Sequence, residues 1–320
     1  MRKQRRRKDR LAARRAILGT LFLAAALTGV GEANAQTARQ GLLSLDDARI
    51  FYEVVGDGDP IIVVHGGPGL DHEYLQPGLD ALGNRNTLVY YDQRGTGRSS
   101  VQLQESAVNF DAFVEDIDRL REALGYQEVS VLGHSFGSLL ALEYARRYPD
   151  RTRALILMNP VEPGTRYQEA TARRQAQGRS EEVAREMAAL RESEGFQARD
   201  PATLSRFYRL AFRAVMKEPD RVDELDLDLA GSTARQGQDV ARLLGTSMGA
   251  VEWWDRISAV DVPTLVLHGR YDAPPTDMAR ELAEAFPLGT FEVLDAGHFP
   301  YLEDRQGLLS AVSSFFASLR

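Results

Sequence analysis

The chain of 320 residues contains no cysteine. That excludes disulfides, thiolate catalysis, zinc–sulfur sites and a lipid anchor on cysteine. Long apolar runs are also lacking. The stretch Ala16 to Val30 is shorter than the roughly 20 residues that a helix needs to cross a bilayer. It follows a cluster of arginines and lysines between Arg2 and Arg15 and precedes Ala33-Asn34-Ala35, a small-x-small cleavage pattern before Gln36. Residues 1–35 therefore read as a secretory signal peptide, and the expected location is periplasmic or secreted. The pair Arg14-Arg15 does not distinguish one export route from another in so basic a region. Positive charge is scarce beyond this leader. It holds nine of the 39 basic and two of the 46 acidic residues, leaving 30 against 44 and a net charge of −14 instead of −7. So acidic a remainder argues against nucleic acid and anionic membranes as partners, and leaves a small-molecule substrate. Export without disulfides is feasible because about 285 residues can bury a core of their own.

From residue 36 the pattern alternates. Ile50–Val54, Ile61–Val64, Thr87–Tyr91, Val129–Leu132, Ala154–Met158, Thr264–Leu267 and Phe291–Leu294 are short apolar runs of the kind found in buried strands. Helical periodicity separates several of them: Phe110, Phe113, Ile117, Leu120 and Leu124; then Gly137 to Tyr148; then about Asp277 to Phe286 and Asp304 to Leu319. Strand and helix in alternation predict an α/β fold, a mainly parallel sheet covered by helices on both faces. Residues 161–256 break the rhythm. No strand is expected there, Glu181 to Leu190 reads as a helix, and Asp200-Pro201 opens another. The expectation is a core formed by 36–160 and 257–320, with 161–256 inserted as a helical cap.

The chemistry centres on Gly133-His134-Ser135-Phe136-Gly137, directly after the strand at Val129. A serine between a strand and a helix, with glycine two positions to either side, is the nucleophile elbow of α/β-hydrolases. The turn is so sharp that Gly133 and Gly137 leave no room for side chains, and the following helix N-terminus sits behind the hydroxyl. Serine needs a base, and the base needs an orienting acid. Of five histidines, His298 lies in a loop after a strand and before the last helix; His65, His72, His134 and His268 read as local structure. Asp272, after the preceding strand, is the expected orienter over Asp261, Asp277 and Asp295, with Asp277 expected to cap its helix. The order Ser135, Asp272, His298 is that of α/β-hydrolases and not of chymotrypsin or subtilisin. The turn His65-Gly66-Gly67-Pro68-Gly69 lets backbone approach a substrate carbonyl, so Gly67 and Phe136 N–H groups are the expected oxyanion donors. This chemistry calls for no metal and no organic cofactor.

Together with Asp92-Gln93-Arg94-Gly95-Thr96-Gly97-Arg98-Ser99, which reads as scaffold, these motifs resemble the proline iminopeptidase family of α/β-hydrolases and the related tricorn-interacting aminopeptidases. The resemblance spans about residues 48–318 and is weakest across 161–256. It implies an aminopeptidase that releases an N-terminal residue, often proline, with cap carboxylates holding the free amine. Glu224, Asp226, Asp228 and Glu252 are available for that role, and none aligns well enough to choose. Trp253 and Trp254 suit either a pocket wall or the core. An esterase, lactonase or amidase acting on a small carboxyl derivative is the alternative within enzymes. A non-catalytic ligand-binding homologue is a remote third reading.

Overall fold

The computed structural model describes residues 38–229 and 231–319, and the expected leader over 1–35 lies outside them. Eight strands follow one another across the sheet in the order β1 (Arg39–Ser44), β2 (Ala48–Val55), β4 (Asn86–Tyr91), β3 (Asp59–Val64), β6 (Val129–His134), β7 (Thr152–Met158), β8 (Thr264–Gly269) and β9 (Gly289–Leu294). The two-residue β5 (Ser100–Val101) pairs with β2 to one side of that path. The β1–β2 and β2–β4 pairs are antiparallel, and every pair from β4 to β9 is parallel.

Side-chain alternation explains why the central strands are apolar throughout. Ile61 and Val63 of β3 pack with Leu88, Tyr90 and Leu132 on one face, and Ile62 and Val64 pack with Val89, Tyr91 and Val131 on the other. With both faces covered, every position must be apolar. After β5, Asn109 caps α1 (Phe110–Ala123) by accepting from the Ala112 amide at 3.0 Å, and α2 (Gly137–Arg147) follows β6. Between β7 and β8 the described residues form helices and no strand: α3 (Gln168–Gln177), α4 (Glu181–Glu192), α5 (Pro201–Arg213) and α6 (Gly231–Met248), besides shorter turns. Asp200 caps α5, its carboxylate accepting from the Thr203 amide at 2.8 Å. The chain closes with α7 (Thr276–Ala285) and α8 (Arg305–Ser318). Helices α1, α2 and α7 cover one face of the sheet, while α8 covers the other.

Two departures from expectation have physical reasons. Strand β1 gave no apolar run because it is a largely exposed edge strand carrying Arg39, Gln40 and Gly41. Asp277 does not cap α7. That helix begins at Thr276 with Pro275 at the cap and no side-chain cap bond, so Asp277 lies in the first turn, where the helix dipole favours an acid.

Candidate active site

Strand β6 ends at His134, and the chain turns at Ser135 with φ of 54°, a left-handed conformation that costs a residue with a β-carbon. Close packing holds the turn. A Cβ at Gly133 would lie 2.5 Å from the Gly137 carbonyl oxygen, one at Gly137 2.5 Å from that of His65, and one at Gly66 2.9 Å from Ser135 Cβ. The Ser135 amide donates to Met158 O at 3.1 Å, and its carbonyl accepts from Ser138 N at 3.0 Å as α2 begins.

Asp272 follows β8 and is fully buried. One carboxylate oxygen accepts from His298 Nδ1–H at 2.8 Å and from Asn159 Nδ2–H at 2.7 Å, and the other accepts from the Ala273 amide at 2.7 Å. Burial pushes its pKa up, but the charge and hydrogen bond of His298, with His268 and Asn159, outweigh burial and hold it below the ordinary carboxylate range. An ionised Asp272 fixes the proton on Nδ1 and leaves His298 Nε2 as the acceptor. The His298 backbone is held from two sides, its amide donating to Val215 O at 2.8 Å and its carbonyl accepting from His134 Nε2–H at 2.9 Å.

The glycine turn after β3 is braced by its own histidine. His65 Nε2 accepts from the Gln93 amide at 3.1 Å, so Nδ1–H donates to Gly66 O at 2.8 Å. Burial drives the His65 pKa down to about 4, which keeps the ring neutral. Gly67 adopts φ of 129°, and neither its amide nor that of Phe136 donates to an acceptor among the described residues. The Asp92–Ser99 segment is scaffold. Asp92 accepts from His72 Nδ1–H at 2.6 Å and from Arg98 N at 2.7 Å, while Arg94 forks onto Asp116 at 2.6 and 2.8 Å.

Ser135, His298, Asp272 and Gly67 all line one cavity of about 600 Å³, whose remaining walls are Ala273 and Pro274 after β8 and residues of the β7–β8 segment, among them Val161, Phe212 and Val215. A smaller lobe of about 180 Å³ meets it at Ser135 and is walled by Pro68, Leu70, Tyr208, Phe212 and Phe299. None of Glu224, Asp226, Asp228 and Glu252 lines either lobe; Glu224 pairs with Arg221 and Asp228 with Arg209. The carboxylate that does, besides Asp272, is Glu162, shortly after β7, which accepts from the Tyr167 amide at 2.9 Å. Sequence reasoning also passed over Arg179 and Asn159. Asn159 had one signal: it stands before a proline at the carboxyl end of a parallel strand, where open α/β sheets place their sites. Trp253 and Trp254 are buried and pack in the core instead of lining the cavity.

A family profile for the alpha/beta hydrolase fold matches residues 59–305. The chain is 25% identical over 301 residues to a proline iminopeptidase of Heyndrickxia coagulans, covering 88% of this chain and 99% of the relative. It is 26% identical to one of Lactobacillus delbrueckii subsp. bulgaricus, covering 84% and 94%. Its fold matches the crystal structure of a Mycobacterium smegmatis proline iminopeptidase with a TM-score of 0.68 at 25% identity, covering 88% and 98%. A thermophilic esterase from Thermogutta terrifontis shares the fold with a TM-score of 0.66 at 24% identity, covering 88% and 99%. With an elbow, a buried acid–histidine pair and a profile match over most of its length, the chain belongs to the α/β hydrolase fold family and within it resembles the proline iminopeptidases.

Proposed function

We propose that this protein is a serine hydrolase that removes the N-terminal residue of a small peptide through an acyl-enzyme. Ser135 Oγ attacks the scissile carbonyl as His298 Nε2 takes its proton. Asp272 holds the imidazole tautomer and stabilises the imidazolium. The Gly67 and Phe136 amides receive the oxyanion, and their lack of an acceptor among the described residues supports that role. His298 then protonates the leaving amine, and water, activated by the same nitrogen, releases the acyl group. The reading rests first on the shared cavity, in which a serine at a strained elbow and a histidine bonded to a buried carboxylate face the same space.

The aminopeptidase part is supported by Glu162. Its carboxylate lines that cavity with the Tyr167 backbone N–H as its only hydrogen-bond partner among the described residues, which suits it to a substrate ammonium. The small aromatic lobe beside Ser135 has room for a pyrrolidine ring or a short aliphatic side chain. We further propose that the helices of 161–256 act as a cap over the site, and that residues 1–35 direct export and are then removed. Periplasmic fractionation with N-terminal sequencing would find Gln36 first.

The decisive assay compares proline, alanine and leucine p-nitroanilides, each with a free and a blocked amine, beside p-nitrophenyl esters. Turnover of the free-amine anilides, lost on blocking and in Ser135→Ala, is the expected result. Ester turnover that needs Ser135 without anilide cleavage would overturn the peptidase reading in favour of an esterase or lactonase. Failure of Ser135 to label with a fluorophosphonate would overturn serine catalysis itself.

A further inference from the structure

The same cavity holds a cation that the proposed aminopeptidase chemistry does not use. Helix α3 turns Gln168, Thr171, Ala172 and Gln175 towards the cavity, at the spacing of one helical face, and Arg179 continues that face just beyond the helix end. Other arginines of this segment are paired: Arg173 with Glu169, Arg206 with Glu186, Arg213 with Asp220. Arg174, from the same helix, is engaged with the Asp272 and Arg270 carbonyls. Arg179 differs. Its guanidinium has no acidic or hydrogen-bonding partner among the described residues, and its Nε is buried without an acceptor. A partly desolvated guanidinium left unpaired is unfavourable, and its planar fork matches the two oxygens of a carboxylate.

We propose that Arg179 binds the free C-terminal carboxylate of the substrate, so that the cavity selects short zwitterionic peptides, dipeptides foremost. The proposal rests on the aminopeptidase reading for its other half, in which Glu162 takes the ammonium. Besides Asp272, one carboxylate and one guanidinium, both unpaired with an opposite charge among the described residues, then line the cavity that holds Ser135. A cavity of about 600 Å³ is of small-ligand size, which suits a dipeptide or tripeptide better than a long chain. The polar face of α3 supplies amide and hydroxyl groups for the peptide backbone along the way.

Binding to the inactive Ser135→Ala protein tests this without relying on turnover. Four ligands are titrated by calorimetry: alanyl-alanine, its C-terminal amide, its N-acetyl derivative, and the derivative blocked at both ends. The expected result is that the free acid binds about tenfold or more tightly than the amide, as one charge-assisted fork implies. Adding Arg179→Gln should bring the acid-to-amide ratio to near one, and Arg179→Lys should restore part of it. Equal binding of acid and amide, a preference that survives Arg179→Gln, or no binding of either dipeptide at millimolar concentration overturns the proposal. Acetylation reports separately: if it leaves affinity unchanged while the acid-to-amide ratio stands, the amine anchor falls and the carboxylate subsite remains. Melting curves of each variant show that a lost ratio is not a lost fold.

Discussion

At the scale of single residues, the site depends on atoms that cannot be exchanged for near equivalents. Asp272→Asn keeps the shape of the side chain but removes the charge, and its amide no longer dictates which imidazole nitrogen carries the proton. Activity should fall by roughly 10³- to 10⁴-fold with little change in melting temperature, measured on whichever substrate Ser135 turns over. Gly137→Ala is the opposite kind of change. Its new methyl group would press on the carbonyls of Val64 and His65, both backbone, so the expected outcome is loss of folded protein, read by circular dichroism. Ser135, Asp272 and His298 could be picked out in the sequence because each stands just past a strand, within three residues of a glycine, in a fixed chain order. Glu162 and Arg179 could not. They are ordinary polar residues in a segment rich in them, and only the turn of α3 and the path after β7 decide which ones face the cavity.

At the scale of elements, a buried relay joins the glycine turn, the elbow and the histidine loop. The Gly66 amide donates to Tyr74 Oη at 2.7 Å, so the Tyr74 hydroxyl donates to His134 Nδ1 at 2.8 Å, and His134 Nε2–H donates to His298 O at 2.9 Å. Burial drives the His134 pKa down to about 3 and raises that of Tyr74, so the directions of these bonds hold across the working pH range. Tyr74→Phe leaves the Gly66 amide and His134 Nδ1 without partners, at about 1–3 kcal/mol each. The expected result is a loss of about 2–6 kcal/mol in urea unfolding with a fall in kcat that exceeds any rise in KM. An unchanged kcat at lowered stability would make the relay structural only. Nothing in the sequence announced it, because Tyr74 and His134 lie 60 positions apart, Tyr74 belongs to no motif and His134 fills a variable position of the elbow. The strands, by contrast, were legible wherever both faces are covered; β1 was missed because it is largely open to solvent, and β5 because it is only two residues long.

At the scale of the whole molecule, several groups whose pKa values burial has moved set the dependence of stability on pH. His65 and His134 stay neutral in the folded protein, with pKa values driven by burial to about 4 and about 3, and burial lowers His268 as well. The unfolded chain protonates these rings below about 6.5. Their contribution to stability is therefore complete above that pH and is lost progressively as the pH falls towards 4 and 3. Asp71 acts with the opposite sign. Burial, then the nearby charge of Asp92, raises it to about 6, so its contribution is complete below its ordinary value of 3.8 and is lost as the pH rises through 6. Asp116, which burial also raises to about 6, acts in the same direction as Asp71. Between pH 4.5 and 6 about two protons gained on unfolding by His65 and His134 are therefore opposed by about one released from each of Asp71 and Asp116. Each net proton is worth only about 1.4 kcal/mol per pH unit, so stability should change little over this range. Asp71→Asn isolates one of the opposing groups, because an amide oxygen can still accept from Thr233 Oγ1, now at 2.7 Å from Asp71 Oδ2. The variant should be more stable than the parent at pH 7.5, by at most about 3 kcal/mol, with the gain shrinking by pH 5, where the native acid already carries its proton. Urea midpoints at the two pH values measure this, and a variant less stable at pH 7.5 would mean that Asp71 is held as a carboxylate.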